Sequence, residues 1–327
     1  MNEEKQFRGG LRFLPKDEKD FKVGAFFKTP KVLDVPKEYD LEDLEIEDQK
    51  NYDFCGSFAT IKPSQYQERV RLDPFFQFAM AKKLEGNYKS WGIDLRIMFK
   101  SFTKIGSIKL ADAPFGYDKD RDFLANWENY PIELLVKAKQ HIKKSYLFVD
   151  GPYDFFDKIR FAMWKGRDKK QAVPFGVTWQ NEWVNKEIIN EMGTDMVGHL
   201  IFARGWKIID GKPYLKIQNS WGENVGKKGI HYMSREIVNR FEPYGAGIFF
   251  DMSKEELEIY LKRGIKVDDD VLIKLYKQLI GIYQSLIDYI KKKEIPKPIP
   301  EPIPESIPEP EPIQEKSKII IFAEAIK

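Results

Sequence analysis

The spacing of apolar side chains changes character along this chain. Residues 1–35 are mixed and basic with no strong period, and they read as an extended arm. Pro36 to Leu41 looks like the start of the folded body. From Cys55 an apolar pattern predicts a helix, interrupted by Pro63. An interior proline loses a hydrogen bond and clashes with the preceding turn at about 3 kcal/mol, so this helix is expected to stop or kink after about two turns. Asp73-Pro74 starts a second helix, with Phe75, Phe76, Phe78, Ala79, Ala81 and Leu84 on its face and Gly86 closing it. Residues 93–105 repeat the helical spacing up to Gly106, so 55–106 is helix-rich.

Beyond that the pattern shortens. Segments 145–149, 173–179, 199–206, 213–218 and 229–233 read as strands bounded by Gly, Asp or Pro, with a helix over 154–165. A helical part followed by a strand-rich part indicates an α+β body with two subdomains, and a cleft between them is where a site is expected. Residues 253–293 are helical again. Leu272, Leu275, Leu279, Ile282, Leu286 and Tyr289 form a heptad seam, flanked by a second seam through Ile273, Tyr276, Ile280, Tyr283, Ile287 and Ile290. That face needs cover, either from the chain's own body or by self-association through helix 270–290. Residues 295–312 are a proline repeat, expected as a polyproline II spacer of roughly 55 Å, and 313–327 begin to look like another element, as though the chain were part of a longer one.

Composition narrows the function classes. The 327 residues are 42% hydrophobic and 14% aromatic, enough for a sizeable core. Net charge is +3, from 54 basic and 51 acidic residues, too balanced to imply a nucleic-acid or membrane partner. The N-terminus lacks the apolar core of a signal peptide, and the longest apolar runs fall short of a membrane span. A single cysteine forms no internal disulfide, which suits a cytoplasmic location. No cofactor or metal is called for.

That cysteine sits in Asp48-Gln49-Lys50-Asn51-Tyr52-Asp53-Phe54-Cys55-Gly56-Ser57. A lone cysteine is usually a small buried hydrophobe. At a helix N-terminus, however, the dipole favours the thiolate, which is the nucleophile. Gln49, six positions earlier, is placed to donate to a developing oxyanion, and Asp53 reads as an N-cap. Three histidines are available as a base. His141 lies in a Lys-rich helical stretch and reads as solvated, and His231 in a strand pattern reads as structural. His199 follows Gly198 and opens a strand, as an accessible base requires.

Twenty residues after His199 comes Gln218-Asn219-Ser220-Trp221-Gly222. With this the chain resembles the papain-like cysteine peptidase family (C1 type). In that family NSWG carries the asparagine that orients the histidine, and the histidine follows the cysteine by about 130–150 residues; here the interval is 144. Gly198 to Trp206 is similar to the histidine-bearing strand, Gly226 to Tyr232 to the strand after the asparagine motif, and Pro36 to Leu41 to the mature N-terminus. The resemblance covers roughly residues 36–250 and implies a helical subdomain beside an antiparallel β-barrel-like one. It implies peptide or protein substrates, with Cys55, His199 and Asn219 as the triad and Gln49 in the oxyanion hole. It also places Trp221 as a shield of the site and Gly92 on the peptide-binding rim, although Gly92 read by itself equally suits a helix cap. Departures from the pattern are Gly56 where the family usually has Trp, Asp53 two residues before the thiol, and Pro63 in the central helix. Laying Cys-Gly-Ser on the family's earlier cysteine would put Phe58 at the nucleophile and make the protein a dead relative, but would leave Tyr52 where Gln49 belongs. The rival functions are an inert papain-fold binding protein and an amidase or isopeptidase on the same triad.

Overall fold

The computed structural model describes residues 9–13, 17–31, 33–250 and 252. The expected helix over 253–293, the proline spacer 295–312 and the segment 313–327 lie outside the described residues, as does the apolar seam of 270–290.

The described residues build an α+β body. Its helical part holds Cys55–Glu68, Pro74–Glu85 and Leu95–Lys104. Asp73 and Asp94 start the latter two by accepting from Phe75 N and Ile97 N, the side-chain capping that satisfies free N–H groups at a helix start. Gly86 closes Pro74–Glu85 in the left-handed conformation.

The other part is organised around the long strand Asp195–Ile209. Val173–Gln180 and then Tyr39–Asp40 pair antiparallel along one of its edges, and Lys212–Gln218 along the other. Ile230–Ser234 extends the sheet antiparallel, and Ile188–Ile189 pairs parallel to it. Ser145–Phe148 and Gly247–Phe250 form a separate two-stranded sheet. The helix Phe155–Lys165 packs on the large sheet through Phe155, Phe156, Ile159 and Ala162, in one cluster with Val173, Val177, Trp179, Ile201 and Leu215. A smaller apolar cluster joins the two parts and contains Cys55, Ala59, Ile61, Leu95 and Phe99 from the helices with Leu200, Phe148 and Phe249 from strands. The cysteine therefore stands at the seam between the parts.

Two expectations fail. The cysteine helix does not stop at Pro63 but runs on to Glu68. It is buried from Cys55 to Tyr66, and packing on both sides outweighs the local cost of one proline, as tertiary contacts routinely override propensity. The segment before residue 36 is not a simple extended arm. Val23–Phe26 is a short helix, and Val23 and Phe26 are wholly buried in the main core. Phe21, Val23, Ala25, Phe26, Phe27, Leu33 and Val35 supply that contact without a readable period.

Candidate active site

Cys55 is the first residue of its helix and is wholly buried. Its sulfur lies against three backbone N–H groups, of Leu200, Gly10 and Gly56. Gly10 donates at 3.2 Å, and Leu200 is next in sequence to His199.

His199 is held on three sides. Nε2 lies 2.8 Å from Asn219 Oδ1. The same Oδ1 accepts from Ser220 N at 2.7 Å. A backbone N–H can only donate, so that atom of Asn219 is the oxygen, and Nε2 must be the protonated nitrogen. The basic lone pair is then on Nδ1, which is buried and has no hydrogen-bond partner among the described residues. Trp221 stacks on the imidazole at 4.3 Å between ring centroids and 26° between planes, and Trp179 meets it edge-on at 5.8 Å. Trp221 is 1% exposed, so its contact is with His199 and the sheet core.

Gln49 is tied to the asparagine loop twice. Its backbone N donates to Ser220 O at 2.7 Å, and its Oε1 accepts from Ser220 Oγ at 2.6 Å. The Oε1 contact fixes the amide orientation, and Nε2 donates to Tyr52 O at 2.7 Å. Gln49, Asn219 and His199 are thus one connected hydrogen-bonded unit.

Gly92 has φ +60, the left-handed region that glycine enters without a steric penalty. Its N–H donates to Asp53 Oδ2 and its carbonyl accepts from Lys82 Nζ. Asp53 also takes Arg121 in a two-point contact, Nε to Oδ1 and Nη2 to Oδ2, both at 2.9 Å. The N-cap role expected for Asp53 is not what it does. The residue preceding the cysteine helix is Phe54, with no side-chain cap, and the Asp53 carboxylate ties the cysteine loop to the Gly92 loop instead. Arg121 and Lys82 lie too far from Asp53 in the chain for spacing to announce them; the readable signal is an acid two residues from the thiol. His141 is also not solvated. It is buried against Glu68 through Nδ1. His231 is a structural residue, with Nδ1 2.7 Å from Lys186 O and its ring against Trp179.

The cleft over the thiol is filled by the chain's own segment 9–12. Leu11 pairs parallel with Ile93. Ile93 N donates to Gly10 O at 2.7 Å, Arg12 N to Ile93 O at 3.1 Å, and Leu11 N to Gly198 O at 3.1 Å. Trp91 Nε1 donates to Gly9 O at 3.1 Å. A Cβ on Gly10 would come within 1.9 Å of Asp53 O, and one on Gly9 within 2.1 Å of Gly198 O, so the path admits only glycine at both positions.

This cover sets the electrostatics. Burial pushes the Cys55 thiol up to about 12, against the opposing pull of the Leu200 and Gly10 N–H groups. Burial also pushes His199 down to about 4, with the Asn219 hydrogen bond opposing it and His231 adding to it. Both shifts disfavour the charged forms of the two side chains while segment 9–12 is in place. The common cause is that neither charge would be solvated there.

Comparison with known proteins bears on these observations. Residues 168–245 match the family described as Papain family cysteine protease. Aminopeptidase C of Lactobacillus helveticus is 41% identical over 69 residues, which are 21% of this chain and 15% of that protein. The match thus spans well under a fifth of the relative's length. Among solved structures, xylellain, a cysteine protease from Xylella fastidiosa, superposes with a TM-score of 0.61 at 19% identity, over 75% of this chain and 96% of that one. Digestive procathepsin L 3 of Tenebrio molitor larval midgut gives 0.54 at 14% identity, over 71% and 76%.

Proposed function

We propose, from the family match over residues 168–245 and the papain-like fold, that this chain is a cysteine peptidase that hydrolyses peptide bonds with Cys55 as nucleophile, His199 as acid–base, Asn219 as orienting group and Gln49 in the oxyanion hole. The observation that carries the reading is the fixed tautomer of His199. Its bare Nδ1 stands one residue from the backbone group that contacts the thiol sulfur.

The chemistry follows from those roles. Nδ1 takes the thiol proton and the sulfur attacks the substrate carbonyl, opening its π bond onto oxygen. The Cys55 N–H and the Gln49 amide receive that oxyanion. Collapse expels the amine, which leaves with the proton from Nδ1. Water, deprotonated at Nδ1, then attacks the thioester and releases the acid with return of the thiol. Asn219 keeps the imidazole in one tautomer throughout, the part its carbonyl plays in a Cys-His-Asn triad. Burial of that bond under Trp221 protects it from competing water.

Segment 9–12 must leave before substrate enters. The test therefore uses the full chain with Gly10→Ala, whose added Cβ does not fit the seated path. We expect this variant to cleave an unfolded protein and to be labelled at Cys55 by a peptidyl epoxide. Cys55→Ala in the same background should lose all turnover, because no second thiol exists. His199→Ala should lose at least a thousandfold, as removal of a triad base does elsewhere. A Gly10→Ala chain that is alkylated readily yet turns over neither peptide nor protein favours the inert papain-fold reading. Hydrolysis of side-chain amides alone favours the isopeptidase reading.

A further inference from the structure

At the end of helix Pro74–Glu85 the carboxylate of Glu85 has its two oxygens in different surroundings. Oε2 accepts from Lys82 Nζ at 2.8 Å and from Ser90 Oγ at 3.0 Å. Lys82 is wholly buried, and its Nζ also donates to Ser90 O at 2.7 Å and to Gly92 O. One oxygen is thus locked from behind by a cation that also holds the Gly92 loop. The other, Oε1, faces segment 9–12 and pairs with the guanidinium of Arg12. Arg12 is the residue whose N–H bonds Ile93 O on the rim. Burial acts to raise the Glu85 pKa, but Lys82 and Arg12 outweigh it and hold the carboxyl below its usual range.

We propose that Glu85 forms an acidic subsite that receives an arginine or lysine side chain of a peptide lying along the Gly92–Ile93 rim, and that Arg12 fills it here. The proposal rests on the peptidase reading for its substrate. Arginine and lysine are both admitted because only Oε1 is offered. The two-oxygen fork that would favour guanidinium over ammonium is not available when Lys82 and Ser90 hold the second oxygen. The contact of Arg12 is correspondingly single: its Nε is buried and has no partner among the described residues. A carboxylate held in place before the ligand arrives loses little freedom on binding, which is how a single partly buried charge contact gains about tenfold in affinity.

Two measurements test this. The first needs no turnover. In the full chain, iodoacetamide alkylation of Cys55 is timed in the parent and in Arg12→Gln. Loss of the guanidinium should accelerate labelling by about tenfold, since it loosens the segment over the thiol. An unchanged rate means that Glu85 contributes nothing to holding a cation and overturns the proposal. The second uses the Gly10→Ala chain with fluorogenic peptides that carry arginine, or its neutral isostere citrulline, at each position in turn. One position should show a preference for arginine of about tenfold in kcat/KM, shared by lysine and lost in Glu85→Gln, while citrulline peptides are cleaved as before. Equal rates for arginine and citrulline at every position overturn it, and this comparison stands even if Glu85→Gln fails to fold. Faster labelling of Arg12→Gln with no turnover of any peptide sinks the peptidase reading and leaves the cation subsite in place.

Discussion

Asp53 illustrates how much a single side chain decides. Its carboxylate is wholly buried and joins the loop before the nucleophile to Arg121 and to the Gly92 amide. Removing one partner of a buried ion pair leaves the other uncompensated, at a cost of about 3 kcal/mol. Arg121 is 16% exposed at its side chain, which allows some hydration and trims that figure. Asp53→Asn should therefore destabilise the chain by about 2 kcal/mol in urea melts and loosen the rim. Arg121→Met in the same background should recover part of the loss, and no recovery would show that the two groups are not coupled. His231 gives a pH signature. Burial depresses it to about 4, so the unfolded chain binds a proton that the folded chain refuses between about pH 6.5 and 4. Its stability contribution is present above 6.5 and is lost as pH falls toward 4. Asp73, pushed up to about 7 by burial, acts in the opposite sense as pH falls through the same interval, and His199 in the same sense as His231. The measurement is accordingly the difference between parent and His231→Phe. The variant should lose stability less steeply from pH 6.5 to 4.5, and parallel curves would rule out titration of His231.

Among the elements, segment 9–12 is the one that changes the chemistry. It makes backbone bonds to both walls of the cleft, at Ile93 and at Gly198. Displacing it should return the thiol toward the range of a solvated cysteine near an imidazole. We expect Gly10→Ala to be alkylated at pH 7 at least a hundredfold faster than the parent. His199→Ala in that background should then shift the alkylation profile upward in pH, because the imidazolium no longer favours the thiolate. A Gly10→Ala chain as slow as the parent would mean that the segment still seats. The helix Cys55–Glu68 teaches the converse lesson. Pro63 by itself favours a stop or a kink, but burial of the whole first three turns carries the helix on to Glu68.

For the molecule as a whole, the sequence was most informative where chemistry fixes residue type and spacing. Gln49, Cys55, His199 and Asn219 stand in an order that short apolar runs and turn residues already placed on a helix start, a strand and a loop. The strands near 145–149, 173–179, 213–218 and 229–233 were legible as short apolar runs, whereas Asp195–Ile209 extends beyond the expected 199–206 and Tyr39–Asp40, Ile188–Ile189 and Gly247–Phe250 carried too short a pattern to be read. Illegible were contacts made by backbone atoms or across long separations. Segment 9–12 is seated by backbone N–H and C=O groups, which every residue carries, and by an Arg12–Glu85 pair between residues far apart in the chain, so no local side-chain pattern announces it. The pairing of Asp53 with Arg121 spans 68 residues and depends on how two loops fold together. The burial of His141 against Glu68 likewise needs the packed structure, because its neighbours in sequence are lysines.

The requirement for glycine at positions 9 and 10 has a genetic consequence. Every amino-acid replacement at a glycine codon adds bulk, so no conservative change exists at either residue. Lesions elsewhere in such a gene reduce or abolish the product's action. At these two codons any missense change is expected instead to release it, a gain of action from the loss of a fit.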